Sequence, residues 1–333
     1  MKPIPVLEVL NLAIGFPSGP AVHGVSFEIH KGEMLALVGE SGCGKSMTAF
    51  AIMRLLPPAA RILNGQVIFE GVDLATVSPF ELRRIRGNGV SLILQEPMTS
   101  LNPVLTVGSQ VAEVIRRHQK LSSRATRARV VELFELVGIP DPHKRYDQHP
   151  HNFSGGMRQR VMIAMAVACN PALLIADEPT TALDVTIQAQ VMDLLDRLRR
   201  ELSMAVLLIT HDLGVVAQWA DRVAVMYAGR VVETAPVKRF FDAPPQHPYS
   251  MGLLNSSVSN GEGAWHYTNH RLTEIKGSVN SAAYAKGCSF APRCSRVLPT
   301  CHAMQPELSA LEEGWLASCR RAQRQEEQAH AFA

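Results

Sequence analysis

Nowhere in these 333 residues does an apolar run approach the ~18 to 20 consecutive residues that span a bilayer, so a membrane-crossing helix is not expected. The first residues carry Glu8 and Asn11 where a signal peptide would be uniformly apolar, and the chain is expected to be made and kept in the cytosol. A dominant charge sign is missing as well. The 33 basic and 30 acidic residues leave +3, a balance that argues neither for nor against nucleic acid. Local clusters such as Arg83, Arg84 and Arg86 read as solvated faces. Cysteine is scarce, with six in all. In a reducing compartment clustered cysteines are read as ligands before disulfides. A hydrophobic content of 47% is ample for a core, so disorder is not the default, and the length allows one large or two ordinary domains.

What is present is led by residues 39–46, GESGCGKS, which fit the phosphate-binding pattern G-x-x-x-x-G-K-[ST] at every fixed position. Across Gly39, Glu40, Ser41, Gly42, Cys43 and Gly44 the glycines let backbone N–H groups face phosphate oxygens. Lys45 sets a point charge on the terminal phosphates, and Ser46 offers a hydroxyl to Mg²⁺. The apolar run at residues 34–38 suits a buried parallel strand, and residues 47–56 suit the helix whose N-terminus completes an anion site. A nucleoside triphosphate is the ligand this implies.

Residues 173–178, LLIADE, form an apolar run ending in two carboxylates. Asp177 reads as the acid that holds Mg²⁺ through water, and Glu178 as the base that orients or deprotonates an attacking water. The plain alternative is a strand followed by a helix cap in the DEPTT turn. Residues 153–159, FSGGMRQ, place Ser154, Gly155 and Gly156 ahead of a helical run through residue 169. They could start a helix only, or bind a second phosphate at its N-terminus.

Strand-like runs at residues 34–38, 90–94, 173–176, 206–210 and 223–227 alternate with helical stretches such as 187–202, the order of a parallel sheet covered by helices. Residues 7–13, 25–29 and 65–69 suit an antiparallel side layer. Between residues 109 and 138, Val111, Val114 and Ile115, then Val130, Val131, Phe134 and Val137, fall at helical spacing and predict a helical insertion. Composition shifts after Phe241. APPQHP opens a Pro-rich turn, residues 255–263 read as a linker, and four cysteines crowd the C-terminal part, as if in a separate module.

The ordered trio of phosphate loop, SGG and acidic strand resembles the ATP-binding cassette (ABC) ATPases. The resemblance implies an α/β fold: a phosphate-loop cassette with a mixed sheet core, an antiparallel β side layer and a helical subdomain near residues 96–153. It further implies a cassette over residues 1–254 and a small Cys-rich extension over 255–333. Carried over by position, Gln95 matches the glutamine that links nucleotide and Mg²⁺ to the transmembrane partner. Asp184 in TALD matches the D-loop, His211 in LLITHD the switch histidine, and Phe16 an aromatic stacked on adenine. Ser154, Gly155, Gly156 and Gln159 match the signature that contacts the ATP held by a second subunit. The implied assembly is a head-to-tail pair of ATPase subunits closing on two ATP molecules and driving membrane subunits that this chain lacks.

Cys288, Cys294, Cys301 and Cys319 stand at C-x5-C-x6-C-x17-C. Four thiolates suit a tetrathiolate site for Zn²⁺ or an iron–sulfur cluster, and the absence of a short C-x2-C tilts the expectation to [4Fe–4S]. The plain alternative is a set of buried thiols. With QEPMTSLNP from Gln95 and QHPYSMGLL from Gln246, the tail resembles the ATP-binding subunits of oligopeptide, dipeptide and nickel importers, the peptide members most. That resemblance also suggests the cluster for some members. Implied partners are two transmembrane permease subunits, a second ATP-binding subunit, a paralogue in a heterodimer, and an extracytoplasmic solute-binding protein. The implied location is the cytoplasmic side of the bacterial inner membrane. Departures are Met251, where the family carries a basic residue, and residues 278–285, which lack the usual prolines. Rival readings are a nickel importer, a redox-sensing tail, and a soluble ABC ATPase on nucleic acid or the ribosome. Against the last stand a single cassette, the lack of a long coiled-coil insertion between Lys45 and Ser154, and the lack of a basic tail.

Overall fold

Every side chain of the strand Met34–Val38 is buried, as an apolar five-residue run covered on both faces should be. A computed structural model describes residues 4–95, 100–181, 183–256, 274–279, 282 and 285–323. The strands in chain order are β1 Leu7–Phe16, β2 Gly19–Ile29, β3 Met34–Val38, β4 Arg61–Phe69, β5 Val72–Asp73, β6 Val90–Ile93, β7 Leu173–Asp177, β8 Ala205–Thr210, β9 Arg222–Tyr227, β10 Arg230–Pro236, β11 Ser309–Glu312 and β12 Trp315–Ala317. The helices are α1 Lys45–Ile52, α2 Pro79–Ile85, α3 Val107–His118, α4 Ser123–Leu136, α5 Pro142–Arg145, α6 Gly155–Val167, α7 Val185–Leu202, α8 Leu213–Trp219, α9 Val237–Asp242 and α10 Pro248–Ser256. No helix among the described residues is long and apolar enough to cross a membrane.

The chain folds as two compact units. One holds residues 1–8, 28–34 and 68–209. Its strands β6, β7 and β8 run parallel, with Val90 opposite Leu173 and Leu173 opposite Ala205. The predicted helical insertion is here as α3 and α4. Val111, Ile115, Val130, Phe134 and Val137 are wholly buried, so the helical spacing located the packed face. Thr106, Ser122 and Ser154 cap α3, α4 and α6 by accepting backbone N–H groups three residues on.

The other unit holds residues 9–27, 35–67 and 210–333. In it β3 lies parallel to β9, and β9, β10, β12 and β11 continue antiparallel. Strands β2, β1 and β4 are neighbours in a separate sheet, the side layer expected from sequence. Helix α1 is shorter than expected and stops at Ile52. Arg54 turns left-handed (φ 49°), and the Leu55 N–H reaches back to the Phe50 carbonyl at 2.7 Å, closing the helix before Pro57.

Among the described residues, the C-terminal part is not set apart as a separate module. β12 pairs with β10, Glu233 standing opposite Ala317, and Phe290, Ala291 and Trp315 share one core with Val38, Tyr227 and Tyr249. The expected linker at residues 255–263 falls largely outside the described residues.

Candidate active site

The sequence-predicted site residues are distributed over both units, and each set is held by contacts inside its own unit. In the unit that carries β3, the loop after Val38 turns through Gly39 at φ +156°. A Cβ there would stand 2.1 Å from the Met226 carbonyl oxygen, so only glycine fits. Gly44 (φ +105°) enters α1 with no side-chain cap, leaving the first N–H groups of the helix available to an anion. Lys45 is buried, and its Nζ donates to the carbonyls of Gly39 (2.7 Å) and Glu40 (3.1 Å). A cationic head already aimed into its own glycine cradle fits a phosphate ligand. Ser41 and Gly42 are exposed, Ser46 is half-buried, and burial pushes the Cys43 thiol up. Exposed His211, on the turn after β8, lines a cavity of about 220 Å³ with Val38, Gly39 and Glu40. Phe16 closes β1, half-buried.

Sequence reasoning missed what holds this loop from the C-terminal side. The Glu40 N–H donates to Tyr249 Oη at 2.9 Å, and the Glu40 carboxylate takes a two-point ion pair from Arg293. Behind Tyr249 sits a buried polar hub. Glu233, wholly enclosed, accepts the N–H groups of Gln246 (2.7 Å) and His247 (2.9 Å) and the Trp315 indole (2.8 Å). Desolvation raises the Glu233 carboxyl, and these donors oppose that shift. The two Glu40 contacts span 209 and 253 residues and the Glu233 to Trp315 contact 82, separations that leave no local signal in the sequence.

In the other unit, Asp177 ends β7 and is 2% exposed. Glu178 follows with φ +47°, a left-handed conformation uncommon for any residue but glycine. Its N–H donates to the Ile209 carbonyl at 2.9 Å. Its Oε2 accepts from Gln95 Nε2 (2.8 Å) and from Thr181 Oγ1 (2.9 Å). The expected glutamine and the expected base therefore meet directly. Residues 96–99, which continue the QEPMTSLNP stretch, lie outside the described residues.

Ser154 Oγ caps α6 by accepting the Met157 N–H, and Gly155 and Gly156 form its first turn. A Cβ on Gly156 would stand 2.8 Å from Ile187 Cγ2, which explains the small residue. Gln159 is fully enclosed, facing inward from α6, and offers no surface contact. Exposed Asp184 caps α7 through the Ile187 N–H.

The metal expectation for the tail does not stand. Cys288, Cys294, Cys301 and Cys319 do line one cavity, of about 20 Å³. Yet the described residues contain no group of three or more His, Cys, Asp or Glu side chains that could hold a metal ion. Burial also pushes Cys288 up to about 11 and raises Cys294, so in the metal-free chain these two are neutral thiols. The [4Fe–4S] and Zn²⁺ readings are both withdrawn, leaving four free thiols, Cys288 buried and the other three half-buried.

Comparison with known proteins bears on the same regions. Residues 22–181 match the family model described as ABC transporter, and residues 232–301 match that described as oligopeptide/dipeptide transporter, C-terminal region. The dipeptide transport ATP-binding protein DppD of Bacillus subtilis is 49% identical, over 94% of this chain and 94% of its own length. The oligopeptide transport ATP-binding protein OppD of the same organism is 50% identical over 91% of this chain and 85% of its own. Among solved structures, a dimeric ATP-binding cassette bound to ADP and Pi, MJ0796, is similar with a TM-score of 0.62 at 27% identity, over 69% of this chain and 98% of that one.

Proposed function

The chain belongs to the ABC transporter family, and from that premise we propose that it is the ATP-hydrolysing subunit of an importer of dipeptides or oligopeptides. The observation that carries this is the complete ordered site, phosphate loop, SGG and acidic strand, in a chain 49% identical over 94% of its length to a dipeptide transport ATP-binding protein. The match at residues 232–301 supports a peptide over nickel as cargo.

On this reading Lys45 exchanges the carbonyls of Gly39 and Glu40 for the terminal phosphates, and the N–H groups of the loop and of the first turn of α1 bind the others. Ser46, Asp177 and Gln95 would hold Mg²⁺, which offsets charge on the β- and γ-phosphates. Glu178 would accept a proton from the attacking water as the water oxygen bonds to the γ-phosphorus and the bond from that phosphorus to the β–γ bridging oxygen breaks, the bridging oxygen leaving on ADP with the electron pair and inorganic phosphate forming. Gln95 and Thr181 both donate to Oε2 of the Glu178 carboxylate, which is carried on a left-handed backbone. His211 would meet the γ-phosphate side, and Phe16 the adenine. Ser154, Gly155 and Gly156 would complete the ATP site of a second ATP-binding subunit, with Asp184 beside it.

The partners proposed are two permease subunits, that second ATP-binding subunit and an extracytoplasmic solute-binding protein, with this chain peripheral on the cytoplasmic face. Residues 1–254 would serve as the cassette and the remainder as its extension. The test is uptake of labelled dipeptides, oligopeptides and nickel ion in cells whose sole copy carries Glu178→Gln. Selective loss of peptide uptake is expected. Retention of peptide uptake overturns the assignment of cargo.

A further inference from the structure

If residues 39–46 bind ATP, as proposed above, one charge on the loop is out of place. Glu40 puts a carboxylate on a turn whose other features all attract phosphate, and like charges at this range repel by kilocalories in a partly buried setting. Its neighbourhood makes the problem sharper. The Glu40 backbone carbonyl accepts from Lys45 Nζ at 3.1 Å, so any movement of Glu40 is felt at the ammonium that the terminal phosphates are proposed to take.

Arg293, 253 positions downstream, answers that charge. Its Nη1 donates to Oε2 at 2.9 Å and its Nη2 to Oε1 at 3.0 Å, the fork geometry that carboxylates bind best. The guanidinium is itself fixed. Nε donates to the Lys276 carbonyl at 2.9 Å, Nη2 also to that of Ile275 at 3.1 Å, and its carbon lies 5.6 Å from the Tyr227 ring centroid. Only 4% of the Arg293 side chain is exposed, against 28% of that of Glu40, so the guanidinium is sheltered from solvent and the carboxylate is screened in part. Tyr249 Oη meanwhile holds the backbone of the same Glu40. A surface ion pair would have none of these restraints, and a plain structural pair would have no reason to include the residue next to Gly39.

We infer that Arg293 is a positioning residue for the ATP site: it neutralises Glu40 and pins the start of the phosphate loop, so that the C-terminal region completes nucleotide binding. Arg293 touches no phosphate on this account and acts through Glu40. Its loss therefore raises KM for ATP far more than it lowers kcat, and removing the Glu40 charge compensates.

The experiment measures the Kd of MgATP and MgADP and the KM and kcat of ATP hydrolysis for the full chain in its transporter complex. Wild type is compared with Arg293→Gln, Glu40→Gln, the double variant, Arg293→Lys and Lys45→Ala. Arg293→Gln is expected to weaken ATP binding roughly tenfold, as for loss of one charged hydrogen-bonded pair. The double variant should return to within about threefold of wild type, with Arg293→Lys, which keeps charge without the fork, in between. A double variant as weak as Arg293→Gln, or an Arg293→Gln chain that binds ATP normally, overturns the inference. Should Arg293→Gln not fold, Arg293→Lys with and without Glu40→Gln reads the same compensation. ATP binding lost in Lys45→Ala but unmoved in the Arg293 variants defeats this inference alone. ATP binding absent from wild type defeats the ATP reading with it.

Discussion

Lys45 and Glu178, the two residues on which the proposed chemistry most depends, are held in contrasting ways. Lys45 is buried and its ammonium is held by two carbonyls of its own loop, with C-terminal residues bracing that loop from behind. Glu178 is half-buried on a left-handed backbone, and its carboxylate is held by two side chains, one of them on the exposed Gln95. The first arrangement is fixed by backbone and core. The second depends on side chains that can let go, which suits a base that must release its partners to take a proton from water.

The contrast is broken most directly by removing each head group. Glu178→Gln should leave MgATP binding within a few-fold of wild type while kcat falls by about 10²- to 10⁴-fold, the range for loss of a general base. Lys45→Ala should instead lose measurable ATP binding. Equilibrium binding and steady-state phosphate release, measured on both variants, check the pair. Equal losses of binding in both would mean that the two residues are not divided between holding and reacting.

Next in size is the brace behind the phosphate loop. Truncating the buried Glu233 leaves the N–H groups of Gln246, His247 and Trp315 without their acceptor. Glu233→Ala should cost about 3–5 kcal/mol of unfolding free energy, as unsatisfied buried donors do, and urea titration measures it. A cost below about 1 kcal/mol would show that the brace is not rigid.

The same brace predicts an acid limit. His247 is buried, and its pKa is lowered by burial to about 3. Its Nδ1 accepts the Tyr249 N–H at 3.1 Å, which only an unprotonated Nδ1 can do. A folded-state pKa below the ordinary 6.5 means that the stabilising contribution is full above pH 6.5 and is lost as pH falls toward 3. Glu233, whose carboxyl is raised by burial, works with the opposite sign, losing stability as pH rises through its own shifted range. Comparing wild type with His247→Gln isolates the histidine. The wild-type advantage should shrink by up to about 1.4 kcal/mol per pH unit between pH 6.5 and 4, read from urea midpoints. An advantage that does not change with pH removes His247 from the titration.

Much of this was legible in the sequence, and what escaped was of one physical kind. The strands β3, β6, β7 and β8 were marked by short apolar runs, and α3 and α4 by periodic Val, Ile and Phe, because burial of a face writes a local period. The glycine loop was legible because its backbone geometry admits few other residues. Glu40 to Arg293, Glu40 to Tyr249 and Glu233 to Trp315 were not, since a contact between residues 82 to 253 positions apart imposes no spacing on either partner. The four cysteines misled in the reverse direction. Their crowding in sequence does place them around one cavity, but lining a cavity is not the same as converging on one ion, and no group of the described residues does that.

The smallest expected effect sharpens the comparison most finely, because it separates the two supports of Glu178. Thr181 Oγ1 lies 2.9 Å from Glu178 Oε2, and Gln95 Nε2 donates to the same oxygen at 2.8 Å. Thr181→Val keeps the shape and deletes the hydroxyl donor, removing one hydrogen bond to a half-buried carboxylate, worth about 1 kcal/mol. If both bonds position the base, kcat should fall about fivefold with KM for ATP unchanged. The acid limb of the kcat–pH profile should move up as well, because a carboxylate that loses a donor is protonated more readily. A fall in kcat without that movement would assign Thr181 to holding the left-handed turn at Glu178 rather than to the carboxylate.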